Sequence, residues 1–485
     1  MKLYYEMIRL LFNKYIRKYE NGRLVKDFCE NMGVVYIKLA QMLSAHSFGS
    51  LFTEKDRIIL SGVCSSCKHM SFDEVKKVLE TEFQCSVDDV FLSIDSIPIG
   101  AASISQVHKA TLKSGETVAV KIKRKGVTEN VDKEIKQIKR LMYTFGKFLK
   151  FGNFSGFDRA LHLYLDWIYQ ETDFTREANN INTYTKFANS VNGKIEGNKL
   201  IRVPKYYPEL CTNNVIVMEY IEHKTLNNLD LTEENNSKIR NALNSYISSS
   251  LYAMFNDLKI VFHGDPHSGN IYIDDDGNIG FLDMGLLFEL TDEDVKETKD
   301  FFFAIYKRDY DRIYNLVIPY GKMDESAKEQ FKNDIKLCCD SVINKPATSY
   351  FIDFMNVCLK YEVCPPNFLF CLAKAFLCLD GINKVCHNQV PGTELLKEQV
   401  VEFHIKNIMR DTHSILIDSI KVFPSFTSNT CRYGLIKGIA KGVVENDNIY
   451  EKAKQALENY REILEMIHPV DELDKCIEQV LKKMQ

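Results

Sequence analysis

The chain has 485 residues, of which 45% are hydrophobic and 26% charged, enough to bury the cores of two lobes with helical additions. Its formal net charge of −4 leaves no basic footprint for nucleic acid, and no apolar run reaches the length needed to span a bilayer. Fourteen cysteines include one close pair, Cys64-Ser-Ser-Cys67, with no second pair to complete a zinc site. Cys338, Cys339, Cys358, Cys371 and Cys378 lie at helical spacing in apolar stretches and read as small core residues, as suits a reducing compartment.

Residues 1–97 read as helical. The segment from Leu3 to Lys18 is basic and amphipathic, the form of a helix lying on an anionic membrane surface. A helix packed on its own domain, with Arg9 and Lys14 in water, has the same pattern and is the preferred reading. No small-residue cleavage site follows an apolar core, so the expected location is cytoplasmic, with peripheral membrane contact as the alternative. A helix over Asn31–Ser44 sets Lys38 and Gln41 one turn apart on one face. Facing a cleft, Lys38 needs a carboxylate or phosphate partner, for which Glu171 and Asp173 are the candidates.

A small lobe is expected over 98–222. Pro98-Ile-Gly-Ala-Ala-Ser-Ile-Ser-Gln-Val-His108 is a small-residue loop whose backbone, at Gly100, Ala101, Ala102 and Ser103, can approach phosphates closely. It is also the form of a strand start packed under something bulky. A turn at Lys113-Ser-Gly-Glu116 leads into Thr117-Val-Ala-Val-Lys121, the form of the kinase strand whose ammonium meets the α and β phosphates. The following Lys121-Ile-Lys-Arg-Lys125 run is expected to leave the cleft for a solvated face. A helical acidic stretch, Gln170 to Glu177, should supply the Lys121 partner, with Glu177 the best candidate. After a polar loop at 189–199 comes the apolar strand Val215-Ile-Val-Met-Glu219. Met218-Glu-Tyr-Ile221 reads as a hinge whose backbone, at Glu219, takes the adenine edge.

The large lobe, expected over 223–395, carries His263-Gly-Asp-Pro-His-Ser-Gly-Asn270, a hairpin turned by Asp274-Asp-Asp-Gly277, and Gly280-Phe-Leu-Asp-Met-Gly285. An Asp followed five positions later by an Asn, then a hairpin ending in Asp-x-Gly, is the catalytic and metal-binding half of a protein-kinase-like fold. Asp265 would orient the attacking oxygen, while Asn270 and Asp283 would hold Mg²⁺ across the phosphates of ATP. His263 reads as a structural loop residue. Residues 396–485 read as terminal helices, with the apolar stretch at 433–444 interrupted by lysines.

These motifs, in this order, resemble the UbiB/ADCK (aarF-domain) family of atypical protein-kinase-like proteins. The resemblance runs from about Gly33 to about Asn388 through Lys38-Leu-Ala-Gln41, the loop from Gly100 to His108, Glu171-Thr-Asp173 and the His263–Asn270 loop. It implies an α+β, bilobal kinase-like fold with a helical N-terminal extension covering the cleft and extra C-terminal helices. It further implies an ATP-dependent kinase or ATPase using Mg²⁺, with Lys38 and Gln41 reaching towards the nucleotide and Glu171 and Asp173 holding the cover. A role in isoprenoid quinone or lipid metabolism follows from the same resemblance, with a lipid or quinone-precursor ligand as a further partner. The chain departs from the family pattern at Ala40, usually Gly, at Gly100, often Ala, at Ser268, usually Pro, and at Met284, the Phe of Asp-Phe-Gly. The alternatives are a small-molecule phosphotransferase of aminoglycoside or choline-kinase type and a nucleotide-binding pseudokinase scaffold.

Overall fold

The computed structural model describes residues 20–44, 53–61, 69–148, 155–256, 258–321, 323–341, 347–363, 365–388 and 390, with isolated positions before residue 20. The chain divides into two compact units, Met1–Leu395 and Leu396–Gln485. The second unit lies outside the described residues, and so do the Cys64–Cys67 pair and most of the helix expected at 3–18.

From residue 20 onward the described residues form α1 (Asn21–Met32), α2 (Val34–Ser44) and α3 (Glu54–Ser61), which pack on one another, with Leu24, Val35, Ala40 and Leu60 buried. The helix expected over Asn31–Ser44 is thus divided at Gly33. Gly33 has φ +143°, and a Cβ there would overlap the Glu134 carboxylate. That carboxylate accepts the Val35 N–H at 2.8 Å, so it supplies the free N-terminus of α2 with an acceptor. Ala40 is fully buried, and its methyl group fits where a glycine is common.

Next comes α4 (Phe72–Phe83), started by a capping box between Ser71 and Glu74, and the short α5 (Val87–Val90). Strands β1 (Phe91–Ile94), β2 (Gly100–Ala101), β3 (Ser105–Leu112), β4 (Thr117–Lys123) and β6 (Val215–Glu219) form an antiparallel sheet in the order β1-β3-β4-β6, with β2 beside β3. The sheet therefore begins before residue 98. Four residues are too few for a period to be read, and Phe91 joins by burying its ring in the sheet core. Alternation along β4 sends Val118, Val120 and Ile122 against Val75 and Leu79 of α4. Ala119, Lys121 and Lys123 take the opposite face.

The chain then makes α6 (Val127–Phe148), α7 (Ser155–Gln170) and α8 (Phe174–Val191). The acidic stretch from Gln170 to Glu177 is a helix end, a turn and a new helix, because Asp173 caps α8 by accepting the Arg176 N–H at 3.1 Å. Strand β5 (Ile201–Arg202) leaves the small sheet to pair in parallel with β9 (Ile279–Phe281), which also pairs with β8 (Ile271–Ile273). Between them lie α9 (Glu233–Phe255) and β7 (Val261–His263), the latter paired with β10 (Leu287–Glu289). Helices α10 (Asp292–Lys307), α11 (Tyr310–Val317), α12 (Glu325–Ser341), α13 (Ala347–Lys360) and α14 (Asn367–Val385) complete the described residues. Their core is aromatic, with Phe301, Phe351 and Phe354 fully buried, and Cys338, Cys339 and Cys358 are buried as expected. No described helix is long and apolar enough to cross a membrane.

Candidate active site

Lys121 stands on the inner face of β4, where antiparallel pairing sets it opposite Val107 of β3 and Ile216 of β6. Its ammonium donates to both oxygens of Glu177, at 2.7 and 2.8 Å, and to Asp283 Oδ2 at 2.8 Å. The Glu177 side chain is only 2% exposed, whereas that of Asp283 is 40% exposed and opens to the cleft. Burial alone would lower the Lys121 ammonium, but Asp283 and Glu177 outweigh it and hold the group above its ordinary range. Burial, reinforced by the Asp283 carboxylate and only partly offset by Lys121, pushes Glu177 up to about 7.

Lys123, expected in water, is instead buried on the same face, its Nζ 5.1 Å from the Phe174 ring centroid. The outward turn of the chain comes only after it, and Lys125 is exposed.

The β8–β9 hairpin joins the two candidate metal ligands. Ile271 pairs with Phe281, and the Leu282 N–H donates to the Asn270 carbonyl at 2.8 Å, so Asn270 lies beside the segment carrying Asp283. Asp283 Oδ1 accepts the Gly285 N–H at 2.8 Å. The Asn270 side chain has no hydrogen-bond partner among the described residues. Met284 is buried, and Asn180 of α8 donates to its carbonyl at 2.7 Å, tying the helix of Glu177 to the segment of Asp283.

His263 joins the two loops. Its Nδ1 accepts the Asp265 N–H at 3.1 Å, and its Nε2 donates to the Asp283 carbonyl at 2.6 Å. Burial pushes its pKa down to about 4, the neutral ring being the form that can make both bonds. The ring stacks on Phe281 at 4.8 Å. Gly264 is required by packing, since a Cβ there would stand 2.6 Å from Leu286 Cγ. Asp265 is partly buried, its side chain 33% exposed, with the Lys374 ammonium 3.3 Å from its Oδ1. Burial would raise its carboxyl, but Lys374, His267, Lys38 and His263 hold it well below the usual range.

On α2, Lys38 pairs with Glu171, and both side chains are 17% exposed. The field of Asp265 and Asp283 also reaches its ammonium. The Tyr164 hydroxyl of α7 donates to the Lys38 carbonyl at 2.7 Å. Asp173, the other expected partner, is exposed and spends its carboxylate on the α8 cap. Gln41 lies on the same helix; its side chain is outside the described residues.

In the small-residue loop, Gly100 and Ala101 lie in β2, and the Ala102 N–H donates to the Ser105 carbonyl at 2.8 Å, closing a tight turn. Arg124 Nε donates to the Ala102 carbonyl at 3.0 Å, and Ser103 is partly buried at the tip. The end of this motif is core. Gln106 accepts the Met70 N–H at 2.8 Å and donates to His108 Nε2 at 2.8 Å, while His108 Nδ1 donates to the Asp95 carbonyl at 2.7 Å. Glu219 is exposed; its carboxylate accepts the Lys205 N–H at 3.1 Å, and its own N–H donates to the Lys205 carbonyl at 2.7 Å.

Two groups at Asp265 were not expected. Lys374 and Cys378, one turn apart on α14, lie 3.3 and 3.5 Å from its Oδ1. The spacing that made Cys378 look like core also carries it to the carboxylate. The available signal was a single lysine in an otherwise apolar helical run, the same signal that singled out Lys38.

A mixed helix and strand chain with a lysine, a helical glutamate, an Asp loop and an Asp-x-Gly segment in one cleft is of the protein-kinase-like class. The chain belongs to the ABC1 atypical kinase-like family, whose domain matches residues 62–317, just over half of it. Among relatives, it is 29% identical over 386 residues to a probable protein kinase UbiB of Shewanella sp., covering 76% of this chain and 67% of that one. It is 29% identical over 308 residues to the chloroplastic Protein ACTIVITY OF BC1 COMPLEX KINASE 7 of Arabidopsis thaliana, covering 62% of this chain and 42% of that one. With an uncharacterized protein of Synechocystis sp. it shares 24% identity over 377 residues, covering 76% of this chain and 62% of that one. The chain thus spans less than two thirds of the length of these last two relatives.

Proposed function

We propose that this chain binds Mg-ATP and turns it over, as an ATPase or a phosphotransferase acting on a lipid or quinone-precursor hydroxyl. The observation that carries the reading is the Lys121 ammonium shared between buried Glu177 and cleft-facing Asp283. It sets the phosphate-binding and metal-binding groups of a kinase-like site beside one another. In this reading Asp265 orients the attacking oxygen, and the Gly100–Ser103 turn lies over the phosphates. The adenine edge meets the backbone carbonyl at Glu219, whose N–H and side chain are both engaged by the Lys205 backbone. Lys38 and Gln41 belong to the helical cover.

The donor set fits Mg²⁺. The Asp283 carboxylate and the Asn270 side chain offer hard oxygen ligands, and Mg²⁺ takes its remaining ligands from water and phosphate. Bound there, the ion would neutralise charge on the β and γ phosphates. The link to quinone or lipid metabolism rests on the family resemblance, and the Lys38–Glu171 pair favours it over a small-molecule kinase, which has no such cover.

Two variants test the proposal. Asp283→Asn should lose Mg²⁺-dependent ATP binding in calorimetry, while Asp265→Asn should bind normally and turn ATP over roughly 10²-fold more slowly. Assays with and without anionic liposomes and phenolic quinone precursors address the acceptor. Metal-dependent binding unchanged in Asp283→Asn, or turnover unchanged in Asp265→Asn, would refute the assignments.

A further inference from the structure

Lys374 is the only charged residue between Asn367 and Asp380, in the middle of an apolar helix that lies beyond the residues matched to the family domain. An ammonium in such a place is costly unless it is paired. Its Nζ donates to the Gly264 carbonyl at 2.6 Å and stands 3.3 Å from Asp265 Oδ1, with the side chain 18% exposed. The Gly264 carbonyl therefore accepts one of its three N–H groups, and the Asp265 carboxylate pairs with the ammonium as an ion. No other hydrogen-bond acceptor takes an N–H of Lys374 among the described residues, and the Trp167 ring lies 5.9 Å from Nζ.

The loop from His263 to Asn270 contains Asp265 but neither Lys nor Arg. His267 is exposed, and its Nδ1 accepts the Gly269 N–H at 3.1 Å. Lys121 is committed to Glu177 and Asp283, and Lys38 to Glu171. Phosphoryl transfer spreads negative charge over the three equatorial oxygens of the moving group, and preorganised donors aimed at that charge are the main source of rate. Lys374 is the permanent cation in direct contact with the carboxylate where the attacking oxygen would sit.

We propose, on the reading that this site turns over ATP, that Lys374 is a further catalytic residue, holding Asp265 in place and donating a remaining N–H to the γ-phosphoryl group as it transfers. In that step the bond between the γ-phosphorus and the β–γ bridging oxygen breaks, and its electron pair leaves on ADP. The oxygen of water or of an acceptor hydroxyl forms the new bond to phosphorus, and its proton passes to Asp265. Lys374 keeps its proton throughout.

The test compares the full chain with Lys374→Met, Lys374→Gln and Lys374→Arg. Calorimetry measures Mg-ADP binding with and without aluminium fluoride, a mimic of the transferring phosphoryl group, and steady-state assays measure ATP turnover. The Met and Gln variants should bind Mg-ADP as the parent does, lose the tightening caused by fluoroaluminate, and show kcat lower by roughly 10²-fold. Arg should recover part of both. Should Lys374→Met fail to fold, Lys374→Gln, whose amide can still donate to Gly264, is read on the same terms. Unchanged kcat and unchanged fluoroaluminate tightening in the neutral variants would overturn the assignment, as would a loss of Mg-ADP affinity that accounts for the whole loss of turnover. Absence of turnover and of fluoroaluminate tightening in the parent chain would instead withdraw the proposed function, and the role of Lys374 with it.

Discussion

Replacing Lys121 by Met removes the ammonium shared by Glu177 and Asp283 and leaves both carboxylates behind. Asp283 tolerates the loss, because its side chain is 40% exposed and the Gly285 N–H still bonds Oδ1. Glu177 does not, being 2% exposed. Breaking a buried pair costs about 3–5 kcal/mol when the remaining partner stays charged. Glu177 can avoid part of that cost by taking up a proton, since burial already pushes it from 4.5 to about 7. Its folded-state pKa is raised, so the folded chain holds a proton that the unfolded chain releases. The resulting stability is complete below about 4.5 and is lost as pH rises through about 7, at about 1.4 kcal/mol per unit. Without Lys121 the carboxyl rises further, and the loss continues above neutrality. The parent stops losing this stability above about 7, so the penalty for Lys121→Met should be small near ~pH 5.5 and up to about 2 kcal/mol larger near ~pH 8.5. Thermal unfolding of both proteins across that range measures it, and adding Lys121→Met to Glu177→Gln, which has no buried carboxylate at 177, should give a penalty that varies little with pH. A penalty equal at both ends of the range, or one that varies as much with pH in the Glu177→Gln background as in the parent, would show that Glu177 is not the group left stranded.

Two further expectations concern α2, the proposed cover of the cleft. Lys38→Ala strands Glu171 and should change ATP turnover severalfold with little loss of fold, so identical kinetics would remove α2 from the working site. Gly33→Ala should lower the unfolding temperature, because its φ of +143° disfavours any side chain and a Cβ would displace the Glu134 carboxylate from the start of α2. Gly100→Ala serves as its control: nothing lies within 4 Å of a Cβ there, and equal destabilisation by the two changes would contradict the packing argument.

Short polar motifs were legible because their chemistry depends on spacing along the chain. Five residues from Asp265 to Asn270 span one loop, and a hairpin turned at Gly277 (φ +83°) returns the chain to Asp283. The pairing of Lys121 with Glu177 was legible too, because a buried ammonium needs a partner and the first turn of α8 presents one. Less could be read where a single residue changes the geometry. Gly33 divides a helix that looked continuous, Asp173 turns an acidic helical stretch into a cap, and Lys123 is drawn inwards by the Phe174 ring.

By itself the amino-acid order determined the kinase-like class, the loop from His263 to Asn270 with its hairpin to Asp283, and the strand lysine, since local spacing, turn residues and strand alternation are properties of neighbours in sequence. Which charges meet was decided by the tertiary structure. Glu171, Asp173 and Glu177 lie within seven residues, yet Glu171 pairs with Lys38, Asp173 caps its own helix and Glu177 holds Lys121. Lys374 is 109 residues from Asp265 in sequence and 3.3 Å away in space. No periodicity carries information over that separation. The packing of α14 against the loop brings them together, and the low polarity of the interior then makes their pairing obligatory.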